Sequence, residues 1–228
     1  MLKLMRLEFR KHRFRWFLTG TLLTNLFTIG LCVLILTVEK GEVEFQTAAG
    51  INFLMGTIIR ATFIVFASVL ISKLIIEEFR DKTIGVMFTY PISRKKLITA
   101  KLVLISSMTF AGMFLSNVFV VTAFNVIDHI WPIMEEQFPM NLWLQELIRI
   151  LSFCAATAIA SLVPLYIGMR NKSVPATIVS SILMVAVLCQ YNEFFSLANI
   201  IYVPIAFAVA GALIAFAAVR QIDKADIA

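Results

Sequence analysis

Residues 51–76 read INFLMGTIIRATFIVFASVLISKLII, a mostly apolar run that contains two charged residues, Arg60 and Lys73. A helix that crosses the hydrocarbon core of a bilayer needs about 20 predominantly apolar residues. The run is long enough to meet this requirement. It therefore predicts a transmembrane helix.

Comparable runs lie on both sides of this stretch. The chain of 228 residues is 60% hydrophobic and 15% charged, with a mean hydropathy of +0.90, whereas soluble domains carry about 25% charged residues. The predicted transmembrane helices are 16–38, 51–76, 102–127, 144–168, 175–190, which is short, and 200–219. The sequence predicts an all-α polytopic membrane protein with six transmembrane helices that forms a single transmembrane domain over residues 1–228.

Basic residues predict how the helices are oriented. Of the 20 Lys and Arg residues, 17 lie in the segments 1–15, 73–101, 170–172 and 220–224, and Lys40 alone lies on the other side. Because basic residues concentrate in cytoplasmic loops, both termini are predicted to be cytoplasmic. The positions of the basic residues thus explain the net charge of +6 as a signal that orients the chain in the membrane, and no nucleic-acid partner is indicated.

The N-terminal segment 1–15 interleaves apolar and basic residues. This mixture is typical of an amphipathic helix that lies at the membrane surface against anionic lipid. A solvated basic tail is the alternative.

The segment that joins the second and third predicted helices is unusual. Residues 77–101 read EEFRDKTIGVMFTYPISRKKLITAK, with charged ends and an apolar middle at 84–90. The middle is too short to cross a membrane and costly to expose to water, so we expect it to meet a partner or the membrane surface. Pro91 disfavours a continuous helix, and Ser93 can cap a new one. An amphipathic loop folded on the membrane is the alternative reading.

This segment resembles the corresponding loop of permeases of ATP-binding-cassette exporters of the second type. The shared features are a charged helix end, Arg80, Lys82-Thr83, an apolar stretch, Pro91-x-Ser93-Arg94 and the later Lys101. Two positions depart from the pattern, since many members have Gly in place of Lys82 and Glu in place of Gly85. The form FTYPISRKK is most similar to small permeases for antibiotic-peptide export or immunity in Gram-positive bacteria.

The resemblance implies a transport subunit of the bacterial plasma membrane that is not itself an enzyme. The loop would be the coupling element that docks on a separate ATPase subunit. The implied interface residues are Glu78, Arg80, Lys82, Thr83, Ile84, Val86, Met87, Phe88, Tyr90, Pro91 and Arg94. The chain contains no phosphate-binding G-x-x-x-x-G-K-[ST] motif, so this chain would bind no cofactor, and ATP and Mg²⁺ would bind the partner. A second permease, identical or homologous, would complete the pathway for an amphipathic peptide, a drug or a lipid.

Arg60 and Arg149 lie inside predicted transmembrane helices, where ionisable side chains are costly and are often functional. Both fall nearer the predicted outer ends, where long side chains can reach the interface. Glu146 precedes Arg149 by three residues, a spacing that allows an ion pair. The pattern leaves two roles open, namely anchoring, or gating and binding an anionic group of the substrate.

Other functions find less support. The histidines, His12 and His129, lie outside the predicted helices, which disfavours a metal-dependent or Ser–His intramembrane protease. The three cysteines read as small core residues. Pro164 and Pro204 are expected to interrupt the fourth and sixth helices. An ATP-independent channel or transporter, or a membrane scaffold or immunity protein, remains the alternative to an exporter permease.

Overall fold

The computed structural model describes residues 15–38, 48–80, 94–130, 143–171, 173–189 and 202–221, which are almost entirely helical and contain no β-strand. The elements are α1 (Arg15–Val38), α2 (Ala48–Ile71), a π-helical segment (Ser72–Ile76), α3 (Glu77–Arg80), α4 (Arg94–Ile130), α5 (Trp143–Ala160), α6 (Pro164–Asn171), α7 (Val174–Leu188) and α8 (Tyr202–Gln221). The prediction of an all-α polytopic membrane protein is confirmed.

The predicted transmembrane helices coincide with observed helices. Among the described residues, four helical stretches are long and apolar enough to cross a membrane: Trp16–Ile35, Gly50–Arg80, Lys96–Ile130 and Leu147–Asn171. Two shorter apolar helices, Val174–Leu188 and Ile205–Arg220, correspond to the fifth and sixth predictions. The largest difference in length is at the third, where α4 begins at Arg94, directly after Ser93.

Helix α2 lies at the centre of the bundle, where it packs against α1, α4, α5, α6 and α7. Its inward side chains, including Met55, Ile59 and Phe63, are fully buried. By contrast, Leu22 and Phe27 of α1 are 61% and 64% exposed. Apolar side chains exposed to this degree fit a lipid environment, in which no hydrophobic force drives them inward.

Pro164 interrupts the fourth predicted helix, as expected. A proline lacks the backbone N–H and its ring clashes with the carbonyl four residues earlier, which here belongs to Ala160. Helix α5 ends at Ala160, and α6 begins at Pro164. Tighter bonds fill the turn, since the amides of Leu162 and Val163 donate to the carbonyls three residues before them.

The expectation for Pro204 was wrong. Helix α8 begins at Tyr202, so Pro204 lies in its first turn and does not interrupt it. Backbone amides in the first turn have no partner within the helix, and proline is tolerated there for this reason.

Helices α5 and α8 approach closely at Gly211. A Cβ atom at this position would overlap the carbonyl oxygen of Ile159, so glycine is required for the observed packing. Small residues at such crossings are typical of membrane helices. Gly30 of α1, in comparison, has nothing within 4 Å of its Cβ position.

Candidate functional site

The predicted coupling loop is only partly within the described residues. Its two ends are helical: the π-helical segment and α3 lead into it, and α4 leads out of it. Arg80 is exposed at the end of α3, and Arg94 is the first residue of α4. The remaining predicted interface residues, Lys82, Thr83, Ile84, Val86, Met87, Phe88, Tyr90 and Pro91, lie outside the described residues, and their role stays a prediction.

A buried ion pair joins the two ends of this loop. The ammonium group of Lys101 in α4 donates a hydrogen bond to the carboxylate of Glu78 in α3. The side chains are 1% and 9% exposed. The pair connects the two described ends of the predicted loop, residues 77–80 and 94–101. We call these two ends together the loop base.

Lys101 also contacts the backbone of the π-helical segment. Its Nζ donates to the carbonyl oxygen of Leu74 at 2.9 Å. A π-helix is rare and often marks a functional site, and here it lies just before the loop base. The amide of Glu77 donates to the carbonyl of Ser72, five residues earlier, as this wider helix requires.

The energetics of the pair favour rigidity. Burying an ammonium or a carboxylate alone costs several kcal/mol, so each of these groups depends on the other. Removing one partner from such a pair typically costs about 3–5 kcal/mol. Glu78 and Lys101 therefore hold α3 and α4 at a fixed separation.

The start of α1 is tied to the same end of the bundle. The Lys73 ammonium lies 4.3 Å from the ring centroid of Trp16, which is a cation–π contact. Phe17, the next residue, packs edge-to-face against Phe63 of α2. Displacement of the π-helical segment would therefore also move the start of α1.

A second polar site lies elsewhere in the bundle, between α2, α4 and α5. A cavity of ≈ 40 Å³ is lined by Arg60, Arg149, Asn117 and the ring of Phe153, together with Asn52, Phe53, Gly56, Val121, Ile150 and Cys154. A water needs about 10–15 Å³ by this measure, so the cavity has room for a few water molecules. We call it the arginine cavity.

Arg60 is half-buried and held by groups of its own helix and of α5. Its Nε donates to the carbonyl of Gly56 at 3.1 Å, and its Nη2 donates to the Thr57 hydroxyl at 2.9 Å. The guanidinium carbon lies 5.7 Å from the Phe53 ring centroid and 5.0 Å from that of Phe153. These contacts direct the guanidinium toward the beginning of α2.

The structure brings Arg149 to the same cavity, where this residue is exposed. The side chain of Glu146 lies outside the described residues, so the predicted ion pair with Arg149 is untested. Two cationic groups at one cavity favour an anion there, since each adds attraction in a low-dielectric environment.

Sequence reasoning did not single out Asn117, which completes this cavity. Its side-chain amide donates to the Met113 carbonyl at 2.8 Å and lies 3.8 Å from the sulfur of Cys154. Nor did it find the polar contact between α2 and α7, where the Ser181 hydroxyl donates to that of Ser68 at 3.0 Å. Mean hydropathy over a window of about 19 residues does not reveal single polar residues within an apolar run. The signal that could have found them is the presence of Asn or paired Ser inside apolar runs.

Metal binding has no structural basis in the part of the chain that is described. No group of three or more His, Cys, Asp or Glu residues comes together there. The cysteines are free thiols, and Cys32 and Cys154 are buried in the helix bundle.

Comparison with known proteins gives a consistent result. A sequence model of the family described as "ABC-2 family transporter protein" matches residues 4–190. The chain is 39% identical over 227 residues to a protein of Bacillus subtilis (strain 168) described as uncharacterized protein YcbO, with 99% of this chain and 100% of that protein covered. No solved structure matches.

Proposed function

The chain belongs to the ABC-2 transporter family, and we propose that it is the permease subunit of an ATP-driven exporter that couples to a separate ATPase chain. In this proposal it is a multi-pass protein of the bacterial plasma membrane and pairs with a second permease, identical or homologous. ATP and Mg²⁺ bind the ATPase subunit, and the cargo is an amphipathic peptide, a drug or a lipid.

The observation that carries the coupling proposal is the ion pair between Glu78 and Lys101. A loop transmits force only if its ends are fixed to the elements that must move. The pair fixes α3 to α4, and the Lys101–Leu74 hydrogen bond extends the connection to the π-helical segment. Helix α2 contacts most of the other helices. A displacement of the loop would therefore be transmitted to them through α2.

In mechanistic terms, closure of the ATPase pair would press on residues 81–93. The loop base would pass this displacement to α2 and α4 together. One helix bundle would then rock against that of the second permease. Pro91 would limit the flexibility of the loop, because its ring fixes one backbone angle.

The arginine cavity is proposed as a gate or as a contact for an anionic group of the cargo. Arg60 and Arg149 line it from different helices, α2 and α5, so relative movement of these helices would change their separation. Glu146 lies three residues, about one helical turn, before Arg149 in α5. We propose that it takes part in the same gate or cargo contact.

The test is purification of the tagged chain from its native membrane in mild detergent, with mass spectrometry of the co-purifying proteins. We expect a stoichiometric ATPase subunit with the wild-type chain and its loss with Phe88→Asp. Phe138→Asp is the matched control, because residue 138 is predicted to lie on the opposite side of the membrane and should leave the ATPase bound.

Two outcomes would contradict the proposal. A wild-type chain that carries no ATPase across several detergents would favour a channel or a scaffold. Loss of the ATPase in both variants would show that an added charge anywhere disturbs the assembly, and the interface would not be in the loop.

A further inference from the structure

An apolar groove runs along the outside of the bundle between α4, α5 and α8. Its volume is ≈ 640 Å³, which is within the range of pockets that hold a drug-sized molecule. The lining residues are Thr99, Leu102, Val103, Ser106, Ser107, Phe110, Ala155, Ala158, Ile159, Leu162, Ala212, Ala215, Phe216 and Val219. It is separate from the arginine cavity, and no residue lines both.

The length of the groove matches one leaflet of a bilayer. It follows α4 from Thr99 to Phe110, which at 1.5 Å per residue is about 17 Å. Half of the hydrocarbon core is about 15 Å thick. The groove begins near the loop base and ends near the middle of the bundle, so it lies in the leaflet on the side of the loop.

Basic residues stand at the loop-side end of both walls. Lys96 lies one helical turn before Thr99, on the same stripe of α4 as Thr99 and Val103. Arg220 lies one turn after Phe216, on the same face of α8 as Phe216 and Ala212. Both basic side chains are exposed. Because successive membrane spans run in opposite directions, α4 begins on the side on which α8 ends.

The groove is apolar over the depth of one leaflet and has cations at the headgroup end. It is therefore complementary to a phospholipid with a negative headgroup. We infer that this groove binds the acyl chain of an anionic phospholipid, whose headgroup is held by Lys96 and Arg220. An anionic lipid places its negative charge at the depth of these two cations and is attracted by each of them.

The purified chain is reconstituted in bilayers that contain phosphatidylglycerol or phosphatidylcholine with the same photoactivatable acyl chain. After illumination, labelled peptides are mapped by mass spectrometry. We expect phosphatidylglycerol to label the walls near Val103, Phe110 and Phe216 more than phosphatidylcholine does. The exposed face of α1 near Leu22 provides the background for unspecific lipid contact.

Two sets of variants, each with a control, test the charged end and the apolar part of the site. Lys96→Gln and Arg220→Gln should each lower phosphatidylglycerol labelling about fivefold, the usual factor for one basic residue at an anionic surface. Arg170→Gln, an exposed basic residue of α6 that does not line the groove, should leave it unchanged. Ala212→Trp should block labelling by both lipids, whereas Ala217→Trp, exposed on the same helix outside the groove, should not.

Equal labelling by the two lipids, or labelling no stronger than at α1, would overturn the inference. Cross-linking of the Val103→Cys or Phe216→Cys variant to another protein chain in the native membrane would also overturn it and assign the groove to a protein. The assay contains no ATPase, so its result is independent of the proposed coupling function.

Discussion

Lys101 and Arg60 are two cations within the helix bundle, and their surroundings differ. Lys101 is fully buried, and its partners are a carboxylate and a backbone carbonyl. Arg60 is half-buried, donates to a carbonyl and a hydroxyl, lies over two aromatic rings and faces a cavity. The first arrangement is closed, while the second leaves room beside the charge.

The difference indicates different roles. A closed ion pair fixes two elements and gains little from any further ligand, because its charges are already matched. A cation beside a cavity has room next to its side chain for an additional group. The loop base is accordingly suited to transmit displacement, and the arginine cavity is suited to respond to a ligand.

The largest effect is expected for Lys101→Met. The substitution leaves Glu78 buried without its counter-charge, which typically costs about 3–5 kcal/mol of stability. Thermal unfolding of the purified protein in detergent should show a large decrease in the midpoint, and the yield from the membrane should fall.

The double variant Glu78→Leu/Lys101→Met sharpens this prediction. Replacing both members of a buried pair by apolar residues is often neutral or even stabilising. We expect the double variant to recover most of the stability and to keep the ATPase subunit bound. ATP-driven transport by this variant should nevertheless be impaired. Normal transport by a stable double variant would show that the pair is not needed for coupling.

The comparison also shows what the sequence could and could not predict. Long apolar runs and Pro164 were enough to predict the helices, because hydropathy and proline act locally. The partnership of Glu78 with Lys101, 23 residues apart, depends on how α3 and α4 pack, and the sequence offered Lys101 only through a resemblance. Likewise, Asn117 and Cys154 meet Arg60 through the packing of three helices. The predicted interfacial helix at 1–15, except Arg15, and residues 81–93 of the predicted loop at 77–101 lie outside the described residues.

A smaller loss is expected for Arg60→Leu. The variant removes the hydrogen bonds of the guanidinium to Gly56 and Thr57 and its contacts with Phe53 and Phe153, but the new side chain buries apolar surface in the same place. The net loss of stability should be about 1–2 kcal/mol. Thermal unfolding in parallel with Lys101→Met measures the difference.

Arg60→Lys separates charge from geometry at the same position. A lysine keeps the charge but lacks the planar group that stacks on the rings and donates in two directions. Transport that is lost in Arg60→Leu and kept in Arg60→Lys would mean that the cavity needs the charge. If Arg60→Leu destabilises the protein as much as Lys101→Met does, the contrast between a closed and an open site is wrong.

Ser181→Ala provides a reference for a neutral contact. It removes a hydroxyl that lies 3.0 Å from the Ser68 hydroxyl and 2.7 Å from the carbonyl of Ile178, while Ser68 keeps its hydrogen bond to the carbonyl of Val65. Hydrogen bonds between membrane helices contribute about 0.6 kcal/mol on average. The unfolding midpoint should fall slightly, and transport should be unchanged. A loss comparable to that of Lys101→Met would contradict the expectation that the buried ion pair contributes more to stability than the neutral α2–α7 contact.

Arg149→Gln should have the smallest effect on stability and the clearest effect on function. The residue is exposed, and substitutions at exposed positions usually change stability by less than about 0.5 kcal/mol. If the arginine cavity binds an anionic group, removal of one of its two charges should nevertheless reduce transport without changing the unfolding midpoint. Arg170→Gln, which removes an exposed charge of α6 that does not line the cavity, is the matched control. Equal transport by the two variants would assign Arg149 to anchoring at the membrane surface, and Arg60 alone would remain as a candidate for gating.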